Sequence, residues 1–189
     1  MNENYLGIVD SITFGLLLST VESGWPDHHH SKLENPARHF TAKIAGCEDL
    51  NYWERLKFLS IQSQERLREK AVIIFIWKCL QGYVKGYSFE TSHSDRRGRL
   101  IAVPTYPVKA VASVRKAKEA SIRVCGAQLF NCMPRDLRDT ATGSVDAFRQ
   151  KLESWLETIP DEPTIPNCGR AAKTNSIVDQ APTVAQSRL

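Results

Sequence analysis

Residues 63–82 read SQERLREKAVIIFIWKCLQG, and the fold turns on how this stretch is read. Its first half is polar and charged. Its second half, Ala71 to Trp77, is apolar on every side and rich in β-branched residues. Periodicity alone does not separate helix from strand in so short an apolar run. Its place after a long polar run favours a single helix of about 18 residues, buried most deeply at its C-terminal half. Ser63 is placed to cap it, and Glu65 sits where the positive end of the helix dipole favours a carboxylate. Gly82 suits the C′ position that stops it. Leu67, Ala71, Ile74 and Lys78 fall on one face. A surface as apolar as Val72–Trp77 requires a cover, so self-association or aggregation through it is an expectation.

Upstream, Tyr52, Trp53, Leu56 and Leu59 recur at helical spacing, with Asp49 or Asn51 as cap and residues 60–63 as a break. The charges Glu54, Arg55, Lys57, Glu65, Arg66, Arg68, Glu69 and Lys70 read as a solvated face, and Tyr52, Trp53 and Trp77 as core. A short helix fits residues 37–44, with Pro36 limiting it at Asn35. Trp25-Pro26-Asp27 and the three histidines after it read as a solvated turn. Residues 8–21 are the most apolar early stretch but contain Asp10 and span only 14 residues, short of the roughly 20 a bilayer needs.

Downstream, residues 82–99 look like loop, and residues 98–103 like a short strand ended by Pro104 and Pro107. Residues 109–119 are basic and weakly helical. Ala120, Ile122 and Val124 alternate with polar residues as in a half-buried strand, Gly126 turns the chain, and residues 127–133 make two helical turns. From Ser144, a second N-cap, Val145, Phe148, Leu152, Trp155 and Leu156 form one apolar stripe that Pro160 ends. The polar, proline-containing remainder to Leu189 reads as extended or disordered. The fold class is therefore mainly α, a small helical domain with one or two short strands and a disordered C-terminal tail. The organisation is 1–32 as an N-terminal segment, 33–159 as the helical module and 160–189 as the tail.

The 189-residue chain is 42% hydrophobic and 24% charged, with a formal net charge of +4. These values suit one soluble domain. The five cysteines are odd in number and none has CxxC spacing, so reduced thiols in an intracellular setting, cytoplasm or nucleus, are expected. No cofactor or metal is implied, and a membrane partner is not expected. The positive charge is uneven. Arg96, Arg97, Arg99, Lys109, Arg115, Lys116, Lys118 and Arg123 are opposed only by Glu119 over the same stretch. That stripe is the candidate nucleic-acid-binding set, because each cation laid on a phosphate releases counterions. Tyr87 and Tyr106 are candidates for stacking on unpaired bases. The alternative is a solvated loop.

Three blocks in order carry a family resemblance: residues 38–84, from RHFTAKIAGCEDLNYWERLKFLS onward; RGRLIAVPTYP at 97–107 with KAKEASIRVCGAQLFNCMPRDLRD at 116–139; and GSVDAFRQKLESWLETIPDEPTIP at 143–166. Their order and spacing resemble the region that follows the polymerase domain in reverse transcriptases of LINE-type (non-LTR) retrotransposons, over about residues 33–178. QERLRE at 64–69 departs from the arginine pair frequent there, and the first 22 residues match only dimly. The resemblance implies a non-catalytic C-terminal fragment that touches RNA or DNA, or packs on the polymerase part of the parent polyprotein. The alternatives are a structural or protein-interaction module, or a non-functional remnant of a degraded element. A polymerase holds two metal ions on adjacent aspartates, and no Asp-Asp pair occurs in the sequence. Glu48-Asp49 reads as helix-start charge and Asp161-Glu162 as part of a turn. The chain is accordingly expected not to be an enzyme.

Overall fold

The computed structural model describes residues 28–105, 112–119, 121–140, 143–163 and 174–186. Among them are eight helices and one two-stranded antiparallel sheet. In chain order these are α1 (His28–Thr41), α2 (Tyr52–Leu59), α3 (Gln64–Leu80), β1 (Thr91–Ser94), β2 (Gly98–Ile101), α4 (Ala112–Glu119), α5 (Ile122–Cys132), α6 (Arg135–Arg138), α7 (Val145–Leu156) and α8 (Ile177–Gln186). The mainly helical class with a short strand pair is the one expected.

Helix α3 is the axis. The Ser63 hydroxyl accepts from the Arg66 N–H at 3.1 Å. At the other end the Gly82 N–H reaches Cys79 and the Tyr83 N–H reaches Lys78. Gly82 has a φ of +77°, the left-handed turn a Schellman ending needs. Val72, Ile73, Ile74, Ile76 and Trp77 are all buried, together with residues of α5, α7 and α8. The Trp77 ring stacks on Phe148 at 4.7 Å and 11°, and its indole N–H donates to the Thr140 carbonyl. The apolar run is thus covered by its own chain, which removes the motive for self-association through Val72–Trp77. The buried face runs through Arg66, Glu69, Ile73, Ile76 and Trp77, while Leu67, Ala71 and Lys78 are only half-buried.

Helix α2 starts on a full capping box: Asn51 accepts from the N–H groups of Trp53 and Glu54, and Glu54 accepts from the Asn51 N–H. Helix α1 runs through Pro36 rather than starting after it. An interior proline costs about 3 kcal/mol. Contacts one turn apart on either side offset it. Glu34 accepts from the Tyr52 hydroxyl and from the Glu65 N–H. Arg38 lies over the Tyr52 ring, 4.2 Å from its centre. The turn expected at residues 25–27 lies outside the described residues, and His28 to His30 form the first turn of α1.

The alternation at Ile122 and Val124 is helical, not strand. Ile122, Gly126, Leu129, Phe130 and Met133 recur at three and four residues, and all are buried. Gly126 does not turn the chain. It lies inside α5, where a Cβ would come within 2.9 Å of Ile76 Cδ1. Helix α7 begins at Ser144, which accepts from the Ala147 N–H, and buries Phe148, Leu152 and Leu156 as expected. The tail is only in part outside the described residues. Its residues 174–186 return to the core, with α8 packed on α5 and Ile177 fully buried. Composition counted the polar residues there, but three of them are satisfied inside the fold, as described below.

Candidate nucleic-acid interface

Of the eight cations singled out by sequence, three sit on the hairpin, two on α4 and one on the first turn of α5. Lys109 and the side chain of Lys116 lie outside the described residues, as does Tyr106. Strand β1 is TSHS, exposed along its whole length, with no apolar residue to reveal it in the sequence. It forms because β2 is anchored and offers it an edge. The register pairs Thr91 with Ile101 and Ser94 with Gly98, so Asp95, Arg96 and Arg97 make the connecting turn. Gly98 has a φ of +68°, and a Cβ there would lie 2.6 Å from Asp139 Oδ2. The turn therefore needs glycine twice over, for its handedness and for space.

The anchor is Arg138. Its side chain is buried, and its guanidinium donates to the carbonyls of Met133 (3.0 Å), Arg99 (2.8 Å) and Arg97 (2.8 Å). Beside it Asp139 accepts from the Arg99 N–H at 2.7 Å and from Arg135 Nε at 3.1 Å. The Arg99 N–H, chiefly, and Arg135 hold the Asp139 carboxyl below the ordinary carboxylate value. This framework presents Arg96 and Arg97 outward with both side chains exposed, and Arg99 half-buried behind them.

The second group lies at the other end of α5. Arg115 is shared with Glu119, one turn on, at 3.8 Å. Lys118 is exposed. Arg123 is exposed, donates to the Ser88 carbonyl at 3.4 Å and lies 5.6 Å from the centre of the Tyr87 ring. Tyr87 is half-buried, meets Phe75 edge to face and has Arg123 over its ring. It offers less to a stacking base than its sequence position suggests. Arg123 and the hairpin-holding Asn131 are eight residues apart on one helix, roughly 12 Å along its axis at 1.5 Å per residue. The described cations thus lie toward both ends of α5.

The charged face of α3 holds the features that sequence reasoning missed. Arg66 is 1% exposed and Glu69 is 4% exposed, so neither belongs to a solvated face. The Arg66 guanidinium donates to the carbonyls of Pro160 (2.8 Å), Asn175 (3.4 Å) and Ile159 (3.5 Å), and its Nε lies 3.8 Å from Asp161. Asp161 accepts from the Ser63 N–H and hydroxyl, both at 2.7 Å, and from the Asn175 amide at 3.2 Å. Glu69 accepts from the Ile177 N–H at 2.9 Å and pairs with the Ser176 hydroxyl, so it caps α8 from a different helix. No local pattern announces this set, whose members lie about a hundred residues apart; Arg66 and Glu69, three apart on a helix, look like an ordinary surface pair.

Among the described residues no group of three or more His, Cys, Asp or Glu side chains is placed to hold a metal ion. Among them, too, no helix is long and apolar enough to cross a membrane. Burial pushes the Cys79 thiol up to about 11 and raises those of Cys125 and Cys132. No protein-family model, curated protein or solved structure matches this chain.

Proposed function

We propose that this chain is a non-catalytic accessory segment that contacts nucleic acid, derived from the region after the polymerase domain of a LINE-type reverse transcriptase. The observation that supports the contact is the Arg96-Arg97 turn, held outward by the buried Arg138 and by Asp139. A fixed loop loses little conformational entropy on laying its guanidinia against phosphates, and arginine suits phosphate geometry. Arg123 and Lys118 form the second contact, so the nucleic acid spans α5. The origin rests on the three sequence blocks and their order.

The test is binding of single-stranded and duplex RNA and DNA by the full chain at 50 and 200 mM salt. Micromolar affinity that falls steeply with salt is expected, since each phosphate contact adds about 0.7–0.9 to the log–log slope. Replacing Arg96, Arg97, Lys118 and Arg123 together by alanine is expected to remove most of the binding. Binding that is absent, or indifferent to salt, would sink the proposal. A second reading, packing on the polymerase part of a parent polyprotein, is favoured by Phe40 and Phe58, which are 70% and 64% exposed.

A further inference from the structure

We propose that the exposed face of Tyr83 is a stacking site for an unpaired base of the bound nucleic acid. The assignment rests on the nucleic-acid contact proposed above and names what is gripped besides phosphate. Tyr83 lies in the turn that ends α3. Its ring stacks on Trp77, with centroids 6.0 Å apart and planes 25° from parallel. Trp77 itself stacks on Phe148 of α7 at 4.7 Å and 11°. Trp77 and Phe148 are each 1% exposed, whereas Tyr83 is 62% exposed. The rings therefore lead from the core to the surface, and the face of Tyr83 turned away from Trp77 meets solvent.

The ring is held in place by the fold itself. Gly82, at a φ of +77°, turns the backbone, and the Tyr83 N–H donates to the Lys78 carbonyl at 2.9 Å. The Trp77 indole N–H and the Gln81 side-chain amide both donate to the Thr140 carbonyl, at 3.2 and 3.4 Å. A ring fixed in this way gives up little conformational freedom when a ligand stacks on it. The same segment ties it to the cationic hairpin. Asp139, the residue before Thr140, accepts from the Arg99 N–H at 2.7 Å. Adjacent residues thus hold the ring stack and the hairpin that carries Arg96 and Arg97.

An unpaired base suits this face better than a protein side chain does. A protein partner buries its anchors in apolar, desolvated pockets. Tyr83 is instead flanked in the chain by Gln81, Gly82, Lys85 and Gly86, and Gly82, Lys85 and Gly86 are exposed. A base needs only a flat ring to lie on and a cation for the phosphate beside it, and every base has such a face. Lys85, two residues on, supplies an exposed cation. In a duplex each base is covered by its neighbours, so the site selects single strands, loops or ends. Tyr87, the tyrosine that its sequence position favours, already has Phe75 and Arg123 against its ring.

The experiment is binding of the full chain, at 50 and 200 mM salt, to two single strands of equal length and charge. One is a run of twelve deoxyadenosines, the other a run of twelve abasic deoxyribose units. The strand with bases is expected to bind about fivefold to hundredfold tighter. Tyr83→Ala is expected to close that gap while leaving affinity for the abasic strand and its salt dependence unchanged, and Tyr83→Phe is expected to keep the gap. Equal affinity for both strands in the unaltered chain, still steep in salt, overturns the stacking site and leaves the phosphate contact standing. Binding to neither strand overturns both. A gap that survives Tyr83→Ala places the base elsewhere, and an equal loss on both strands makes Tyr83 a structural residue. Either result overturns the stacking site.

Discussion

The side-chain amide of Asn131 pairs with the backbone of Ile101 as a neighbouring strand would. Its NH2 donates to the Ile101 carbonyl at 2.8 Å, and its oxygen accepts from the Ile101 N–H at 2.9 Å. A helix residue thereby satisfies part of the outer edge of a two-stranded sheet, an edge that otherwise invites another chain. Ile101 is 2% exposed, so no water substitutes for the amide.

Asn131→Ala is accordingly expected to cost about 2 kcal/mol, since it strands a buried donor and acceptor together. Urea unfolding followed by tryptophan fluorescence measures it. Asn131→Asp is expected to be no better, because it keeps the acceptor but sets a carboxylate against the Ile101 carbonyl.

Replacing Arg66 by methionine keeps most of its apolar contact but leaves the carbonyls of Pro160 and Asn175 without this donor and Asp161 without the cation beside it. A loss of about 3 kcal/mol is expected, as for breaking a buried ion pair by removing one partner. The same unfolding assay reads it, and a change under 1 kcal/mol would show that the buried guanidinium is dispensable.

Gly126→Ala gains up to about 1 kcal/mol in helix propensity. Against this, the new methyl meets Ile76 at 2.9 and 3.2 Å, and Ile76 is fully buried. Overpacking costs about 1–3 kcal/mol, so a net destabilisation of about 1 kcal/mol is expected in thermal melts. A stabilised variant would mean that α3 and α5 can move apart freely.

Hairpin anchoring depends on pH through Asp139. The Asp139 carboxyl is held below its ordinary 3.8. Its contribution is thus present above that value and is lost as pH falls through the lowered one. Exchange at the Arg99 amide is expected to accelerate in strong acid, relative to α7, and Asp139→Asn is expected to blunt that response.

Cys79, with its thiol pushed up to about 11, holds about one thiolate per thousand at pH 8. Its reaction with a disulfide reagent is expected to proceed at the rate of unfolding. Peptide mapping after a short pulse would reveal early labelling if the pocket around it is open.

The helices whose ends carry their own chemistry were legible in sequence: Asn51, Ser63, Gly82 and Ser144 all act where their residue types place them. What was hidden depends on distant partners. The Ile122–Val124 alternation covers too few residues to separate periods of 2 and 3.6, and only Leu129 and Phe130 further on resolve it. Helix α1 survives Pro36 because of contacts with α2 and α3 that no local rule contains. Strand β1 has no signal of its own, and Arg66 and Glu69 look solvated until residues 159–177 are brought against them. Of the candidate cations, the residue types were legible, but the anchoring of Arg97 and Arg99 by Arg138 and Asp139 was not, since it joins positions about forty residues apart.

The Arg66–Asn175 contact joins positions 109 residues apart. At a synthesis rate of roughly 5–20 residues per second, Arg66 waits on the order of five to twenty seconds before its acceptors exist. Helix α3 can form early, yet its interior charges must stay wet until residues 159–177 arrive. A ribosome-bound intermediate lacking those residues therefore holds an open seam along α3.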